Sequence, residues 1–214
     1  QVELKDGLMN IGGGAFASCN NLTRINIPSS VKRIEDNTFL SCSSLTEIKI
    51  GINVASIGER AFYSCWQLVS ITFPANIEHI ESNAFAGCRR LKQLYFEGSR
   101  PAFASNEELA DANNATIYVI SESPEWKDGL QGWPVAFWLP KINFDSPTFG
   151  ITDGRMGFTV SWARNRSVIV EDSIDVGSSD WSEIGELYLA DGTAYFSDPN
   201  TIQKSKRFYR ARQP

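Results

Sequence analysis

Between Ile11 and Phe96 the apolar positions recur every 23 residues without a slip of register. Ile11, Ile34, Ile57 and Ile80 align, as do Phe16, Phe39, Phe62 and Phe85, then Cys19, Cys42, Cys65 and Cys88, then Leu22, Leu45, Leu68 and Leu91. A fixed period of this length means one small unit copied and stacked, each copy burying its apolar side against the next. Within the unit, Leu22-x-x-Ile25-x-Ile27 alternates apolar and polar positions, which predicts a strand with one buried face. The other face then carries two stacked rows: Arg24, Glu47, Ser70, Gln93 and Asn26, Lys49, Thr72, Tyr95. A second apolar pair, Val31 and Ile34, repeats as Val54 and Ile57 and as Ile77 and Ile80, and predicts a second short strand. The segment from Ala15 to Asn20 has room for no more than a helical turn.

Segments such as Ile57-Gly58-Glu59-Arg60-Ala61-Phe62-Tyr63-Ser64-Cys65-Trp66-Gln67-Leu68 resemble the BspA-type leucine-rich repeat of bacterial surface and secreted proteins. The resemblance covers residues 2–97 and rests on the Ala-Phe-x-x-Cys and Leu-x-x-Ile-x-Ile blocks. It departs at Glu35 and Glu81, where the family usually has Gly, and at Gly51 and Glu97, where it has Pro; these are turn positions. It implies a mainly β solenoid with a parallel sheet, a secreted or cell-surface location in a bacterium, and adhesion to a protein or glycan without catalysis or cofactor.

The register is lost after Phe96. Ser105-Asn106-Glu107-Glu108 has the form of a capping box opening a short helix, and Ala115 to Ile120 is a strand by composition. Residues 98–138 therefore form a C-terminal cap, with the new strand adding one rung to the sheet and Trp126, Trp133 and Trp138 covering the last coil. A cap with a similar Thr-Ile-Tyr-Val strand, a tryptophan and a Gly-x-Pro turn commonly follows BspA-type repeats. Domain one is thus expected to span 1–138 and domain two 139–214, past the linker prolines Pro140 and Pro147. Short alternating strands at 157–162, 168–171, 186–189, 193–196 and 207–210 predict a small antiparallel β-sandwich, with Asp191-Gly192 as a hairpin turn. This part is similar to an accessory β-module of large secreted bacterial proteins.

A net charge of −5 supplies no footprint for nucleic acid or an anionic membrane, and no apolar run is long enough to cross a bilayer. Val2, Leu4 and Leu8 fall on the strand phase of an earlier repeat, so the chain starts inside a coil, as in a fragment or after loss of a leader. The cysteines stand in a ladder with parallel side chains, which suits neither bridges nor tetrahedral metal ligation and predicts four buried free thiols. His79 lies on an exposed phase with no nucleophile motif, and Gly12-Gly13-Gly14 lacks the Lys-Ser or Lys-Thr of a phosphate loop. Glu171, Asp172, Asp175 and Asp153 lack calcium-loop spacing and are expected to be solvated. The basic tail of Lys204, Lys206, Arg207, Arg210 and Arg212 is expected to lie beside acids of its own domain. Sequons begin at Asn21, Asn114 and Asn165 and matter only in a eukaryotic host.

The candidate ligand-binding residues are therefore the outward rows: Arg24, Asn26, Glu47, Lys49, Ser70, Thr72, Gln93 and Tyr95. A cation–π contact of Arg89 with Trp66, one coil apart, is a further expectation. Two alternatives stand beside adhesion. An open first coil offers an edge for self-association into a filament or surface layer. The chain also fits the non-catalytic end of a larger secreted enzyme.

Overall fold

The computed structural model describes residues 2–105, 115–120, 124–126, 133–177, 179–200 and 207–214. The expected helix after Ser105 and the sequon at Asn114 lie outside them. The chain divides into two compact units, residues 1–137 and 138–214.

Unit one is a stack of coils, most of them carrying two short strands. β1 (Arg24–Asn26) and β2 (Arg33–Ile34) are followed by β3 (Glu47–Lys49) and β4 (Ser56–Ile57), then β5 (Ser70–Phe73) and β6 (His79–Ile80), then β7 (Gln93–Phe96) and β8 (Ala102–Phe103). β9 (Thr116–Val119) and β10 (Val135–Phe137) complete the unit, with a single 3₁₀ turn at Pro124–Trp126 between them. All pairing is parallel: β1 with β3, the path β5, β7, β9, β10, and on the second side β2, β4, β6, β8. The period sets the register, so that Ile25 lies opposite Ile48, Ile71 opposite Leu94, and Leu94 opposite Ile117.

The third side of each coil is a turn, not a helix. Residues Gly14, Asn37, Arg60 and Asn83, then Ser18, Ser41, Ser64 and Gly87, all take left-handed backbone. Gly, Asn and Ser tolerate that region better than branched side chains do. The turned-out amides reach the next coil: Phe16 N–H donates to Thr38 O at 2.9 Å, Phe39 to Ala61 O at 2.8 Å and Phe62 to Ala84 O at 2.8 Å. Successive coils are thus hydrogen-bonded on the turn side as well as along the strands, leaving few orphan backbone groups.

The core is a set of side-chain columns. Phe16, Phe39, Phe62 and Phe85 stack with ring centroids 5.3, 5.2 and 5.1 Å apart, and Phe73 stacks on Phe96 at 4.5 Å. Trp126 closes the column against Phe96 at 4.8 Å, and Trp133 packs on the same core. Trp138, expected among these covering tryptophans, falls in the second unit instead.

Unit two consists of two antiparallel sheets. Its strands are β11 (Lys141–Asn143), β12 (Gly150–Thr152), β13 (Arg155–Ser161), β14 (Arg166–Ser173), β15 (Ser182–Leu189), β16 (Thr193–Ser197) and β17 (Phe208–Arg212). One sheet has β13 between β16 and the pair β11 and β12; the other has the order β15, β14, β17. Phe158 and Phe196 of the first sheet meet at 5.3 Å, and Phe158 lies edge-on to Tyr209 of the second at 5.2 Å. A Cβ on Gly185 would stand 2.8 Å from the Phe196 ring, so the two sheets approach closely at a residue without a side chain.

The expected hairpin at Asp191-Gly192 is not formed. β15 pairs with β14 and β16 with β13, so this turn carries the chain from one sheet to the other. The two-residue hairpin is at Asp153-Gly154, with φ of 52° and 73°, joining β12 to β13. Its φ values have the mirror-turn sign that matches strand twist.

Candidate functional site

The outward rows of the strand face emerge in the expected register. Arg24 stands opposite Glu47 and Asn26 opposite Lys49; Ser70 stands opposite Gln93, and Gln93 opposite Thr116. Thr72 lies opposite Tyr95, and Tyr95 opposite Tyr118. The structure therefore brings the eight candidates onto one side of the strands, with Thr116 and Tyr118 continuing the rows. The expected loss of register after Phe96 does not hold for the strand: Thr116 and Tyr118 stand 23 residues after Gln93 and Tyr95, so the strand period runs on through β9. The 23-residue step and the Thr116-Ile117-Tyr118-Val119 alternation were the available signals for these two missed residues.

The face is divided by chemistry. At one end Arg24 Nε pairs with Glu47 Oε2 at 3.2 Å, both side chains well exposed, a contact worth about 0–1 kcal/mol. At the other end the side chains are uncharged: Ser70, Thr72, Gln93, Thr116 and the two tyrosines, all half-buried. The Tyr95 and Tyr118 rings stack with centroids 4.8 Å apart and planes 20° from parallel. Burial, and next the neighbouring Tyr118, raises the Tyr95 hydroxyl above its ordinary pKa and keeps it a neutral donor.

The cysteine ladder has a structural task. Cys42 Sγ donates to Phe16 O at 3.1 Å, Cys65 to Phe39 O at 3.3 Å and Cys88 to Phe62 O at 3.1 Å. Each thiol fills a small space in its coil and satisfies a carbonyl of the coil before. Burial pushes the Cys42 thiol up to about 11 and Cys88 to about 12, and raises Cys65 further, so none is a nucleophile at neutral pH. Cys19 differs from expectation: it is exposed. All four are free thiols.

His79 is exposed on β6, paired in register with Ser56 and Ala102. Among the described residues no group of three or more His, Cys, Asp or Glu is placed to hold a metal ion. The acids of unit two are not solvated as a group. Glu171 and Asp172 are buried on β14, where Glu171 accepts from Arg210 Nε at 2.6 Å and Arg212 Nε at 2.8 Å. Arg207 reaches both Asp172 and the fully buried Asp198, whose carboxylate also accepts the Tyr209 hydroxyl at 2.8 Å and Asn200 N–H at 2.8 Å. The difference arises from pairing: strand β17 lies against β14, so that Arg210 and Arg212 on it, and Arg207 just before it, reach the β14 acids. Asp175 and Asp153 are exposed.

The guanidinium–aromatic contacts among the described residues are Arg60 over Tyr63, Arg100 over Trp126 and Arg210 over Trp181. The expected Arg89–Trp66 contact is absent; its neighbour Arg90 instead bonds Gln67 one coil away.

A family model for the BspA type leucine-rich repeat region matches residues 1–107 in six copies. The chain belongs to that family. Similar solved structures are bacterial leucine-rich proteins. A leucine-rich repeat protein from Bacteroides ovatus shares 27% identity at a TM-score of 0.51, covering 63% of this chain and 35% of that one. The T. pallidum leucine-rich repeat protein shares 27% identity at 0.48, with 55% and 57% covered. A leucine rich cell surface protein from Faecalibacterium prausnitzii shares 32% identity at 0.39, with 40% and 22% covered. The chain thus spans about a third of the Bacteroides ovatus protein (35%). No curated protein matches it. The family match ends with the BspA-type coils and does not extend to unit two.

Proposed function

We propose that the chain is a binding module of a secreted or cell-surface bacterial protein, and that its outward strand rows engage a protein or glycan partner. The supporting observation is the stacked, half-exposed Tyr95–Tyr118 pair set among Thr72, Gln93 and Thr116. Core packing does not call for aromatic residues there, since the matching positions one and two coils earlier are Thr72 and Lys49. Two rings already held against each other lose little side-chain freedom on binding. Tyrosine is also enriched among residues that dominate binding energy. Neutral hydroxyl and amide groups around the rings supply hydrogen bonds without the desolvation cost of ions.

Arg24, Asn26, Glu47 and Lys49 form the charged outer part of this footprint. Probing arrays of immobilised surface proteins and glycans with the intact chain tests the reading. Hits bound by the native chain are expected to weaken at least tenfold with Tyr95→Ala or Tyr118→Ala, and severalfold with Lys49→Ala. Unchanged binding by all three variants overturns it.

A further inference from the structure

The turn side of the coils, away from the strand rows, carries a second group of exposed residues. The positions that follow the conserved-register cysteines read Asn20-Asn21, Ser43-Ser44, Trp66-Gln67 and Arg89-Arg90 in successive coils. Small polar residues satisfy the first two coils, so the fold does not require an indole at the third; yet Trp66 is there, 52% exposed. Tyr63 is exposed in the same turn, with the Arg60 guanidinium 5.9 Å from its ring centroid. The bond between Arg90 and Gln67 holds the Trp66-Gln67 and Arg89-Arg90 pairs side by side on neighbouring coils.

Charge is concentrated here against the overall balance. The chain carries a net charge of −5, while this patch gathers Arg60, Arg89 and Arg90; Glu59 pairs loosely with Arg60 at 3.7 Å, and the nearby Asp36, which accepts the Glu59 N–H, is paired with Arg33. Arg90 bonds a neutral amide, and Arg89 has no acid partner among the described residues. Exposed tryptophan, tyrosine and arginine are the residue types enriched where partners bind tightly. A carboxylate brought to an arginine there gains charge-assisted, fork-shaped hydrogen bonds.

We propose that Trp66, Tyr63, Arg89 and Arg90 form a second interaction surface, on the turn side of the coils, for an extended acidic protein segment with an apolar side chain over the indole. An acidic peptide suits the patch better than a sulfated polysaccharide. The cations span only two coils and surround an aromatic centre, whereas a uniform polyanion gains from a long array of cations and little from a ring.

Selection of a random dodecapeptide display library on the intact chain tests this, followed by anisotropy measurements with the best synthetic peptide. The selected peptides are expected to be enriched in Asp and Glu with at least one aromatic or aliphatic residue. Their affinity should fall about tenfold with Trp66→Ala, about a hundredfold with Arg89→Glu plus Arg90→Glu, and less than threefold with Lys at both positions. Tyr95→Ala should leave it unchanged, which separates this surface from the strand rows. Unaltered melting temperatures confirm that these exposed substitutions keep the fold. Failure to enrich acidic peptides, or equal binding by Trp66→Ala, overturns the proposal. So does heparin bound equally well by the native chain and Trp66→Ala, which assigns the arginines to a polyanion instead.

Discussion

At the scale of single residues, identical letters in the repeat do not behave identically. Cys19 sits exposed while Cys42, Cys65 and Cys88 are buried and donate their S–H to carbonyls of the preceding coil. Thiolate is the reactive form, and burial holds Cys42 at about 11 and Cys88 at about 12. Ellman's reagent at pH 8 is therefore expected to titrate one thiol of the native chain within minutes and all four after denaturation. Rapid reaction of more than one native thiol contradicts the ladder. Burial of the cysteines was legible from their period, because equivalent positions share an environment. The exception at Cys19 was not, since exposure depends on what lies beneath a coil and not on the residue's own phase. Tyr118 was legible by the same rule, since it stands one 23-residue period after Tyr95 and pairs with it, but Glu108, Asp111 and Asn114 occupy the Phe, Cys and Leu phases between them and mask the continuity.

At the scale of elements, the aromatic column joins the coils and β17 secures the second unit. Phe62 is fully buried between Phe39 and Phe85, so Phe62→Ala removes a ring that touches both neighbouring coils. The expected cost is about 3–5 kcal/mol by chemical denaturation, and because each coil is stabilised by its neighbours the loss should be felt beyond its own coil. In unit two, Asp198→Asn leaves Arg207 with Asp172 but takes away its buried second partner. A loss of about 3 kcal/mol is expected, near the lower end for breaking a buried pair. The same groups set the acid limit. Hydrogen bonds from Arg212 first and Arg210 next, outweighing burial, hold Glu171 below its ordinary range. Burial alone would raise Asp198, but Asn200 N–H, Tyr209 and Arg207 outweigh it and hold that carboxyl down as well. Carboxyls depressed in the folded state contribute stability that is complete above the unfolded pKa of about 4 and is lost as pH falls through the lower folded value. Melting temperature of the unit should therefore decline below about pH 4 in the native chain and decline less steeply in Glu171→Gln. An equal acid slope in both chains contradicts that assignment. Strand positions in this unit were readable from alternation, but partners were not. Asp191-Gly192 carries a hairpin sequence, yet β15 is paired along its length with β14, and the chain must cross to the other sheet.

At the scale of the whole molecule, the repeat makes the strand face a by-product of the core. Inward residues are fixed by stacking, and outward ones are left free to differ from coil to coil, which is how Asn26, Lys49, Thr72 and Tyr95 come to occupy equivalent positions of successive strands. Period and alternation made this architecture legible over the coils. They carried no information on which outward residues form a site, because solvent accepts nearly any polar side chain. The 23-residue step from Tyr95 to Tyr118 predicts that they are neighbours, and the structure adds that their rings stack. The most direct test is hydroxyl-radical footprinting of the intact chain, with and without the partner found by the array. Oxidation of Tyr95 and Tyr118 should fall several-fold on binding, while Tyr188 and Tyr195 of the second unit, both exposed, keep their free-state rates. Unchanged oxidation of Tyr95 and Tyr118 in the saturated complex would contradict binding through the strand rows.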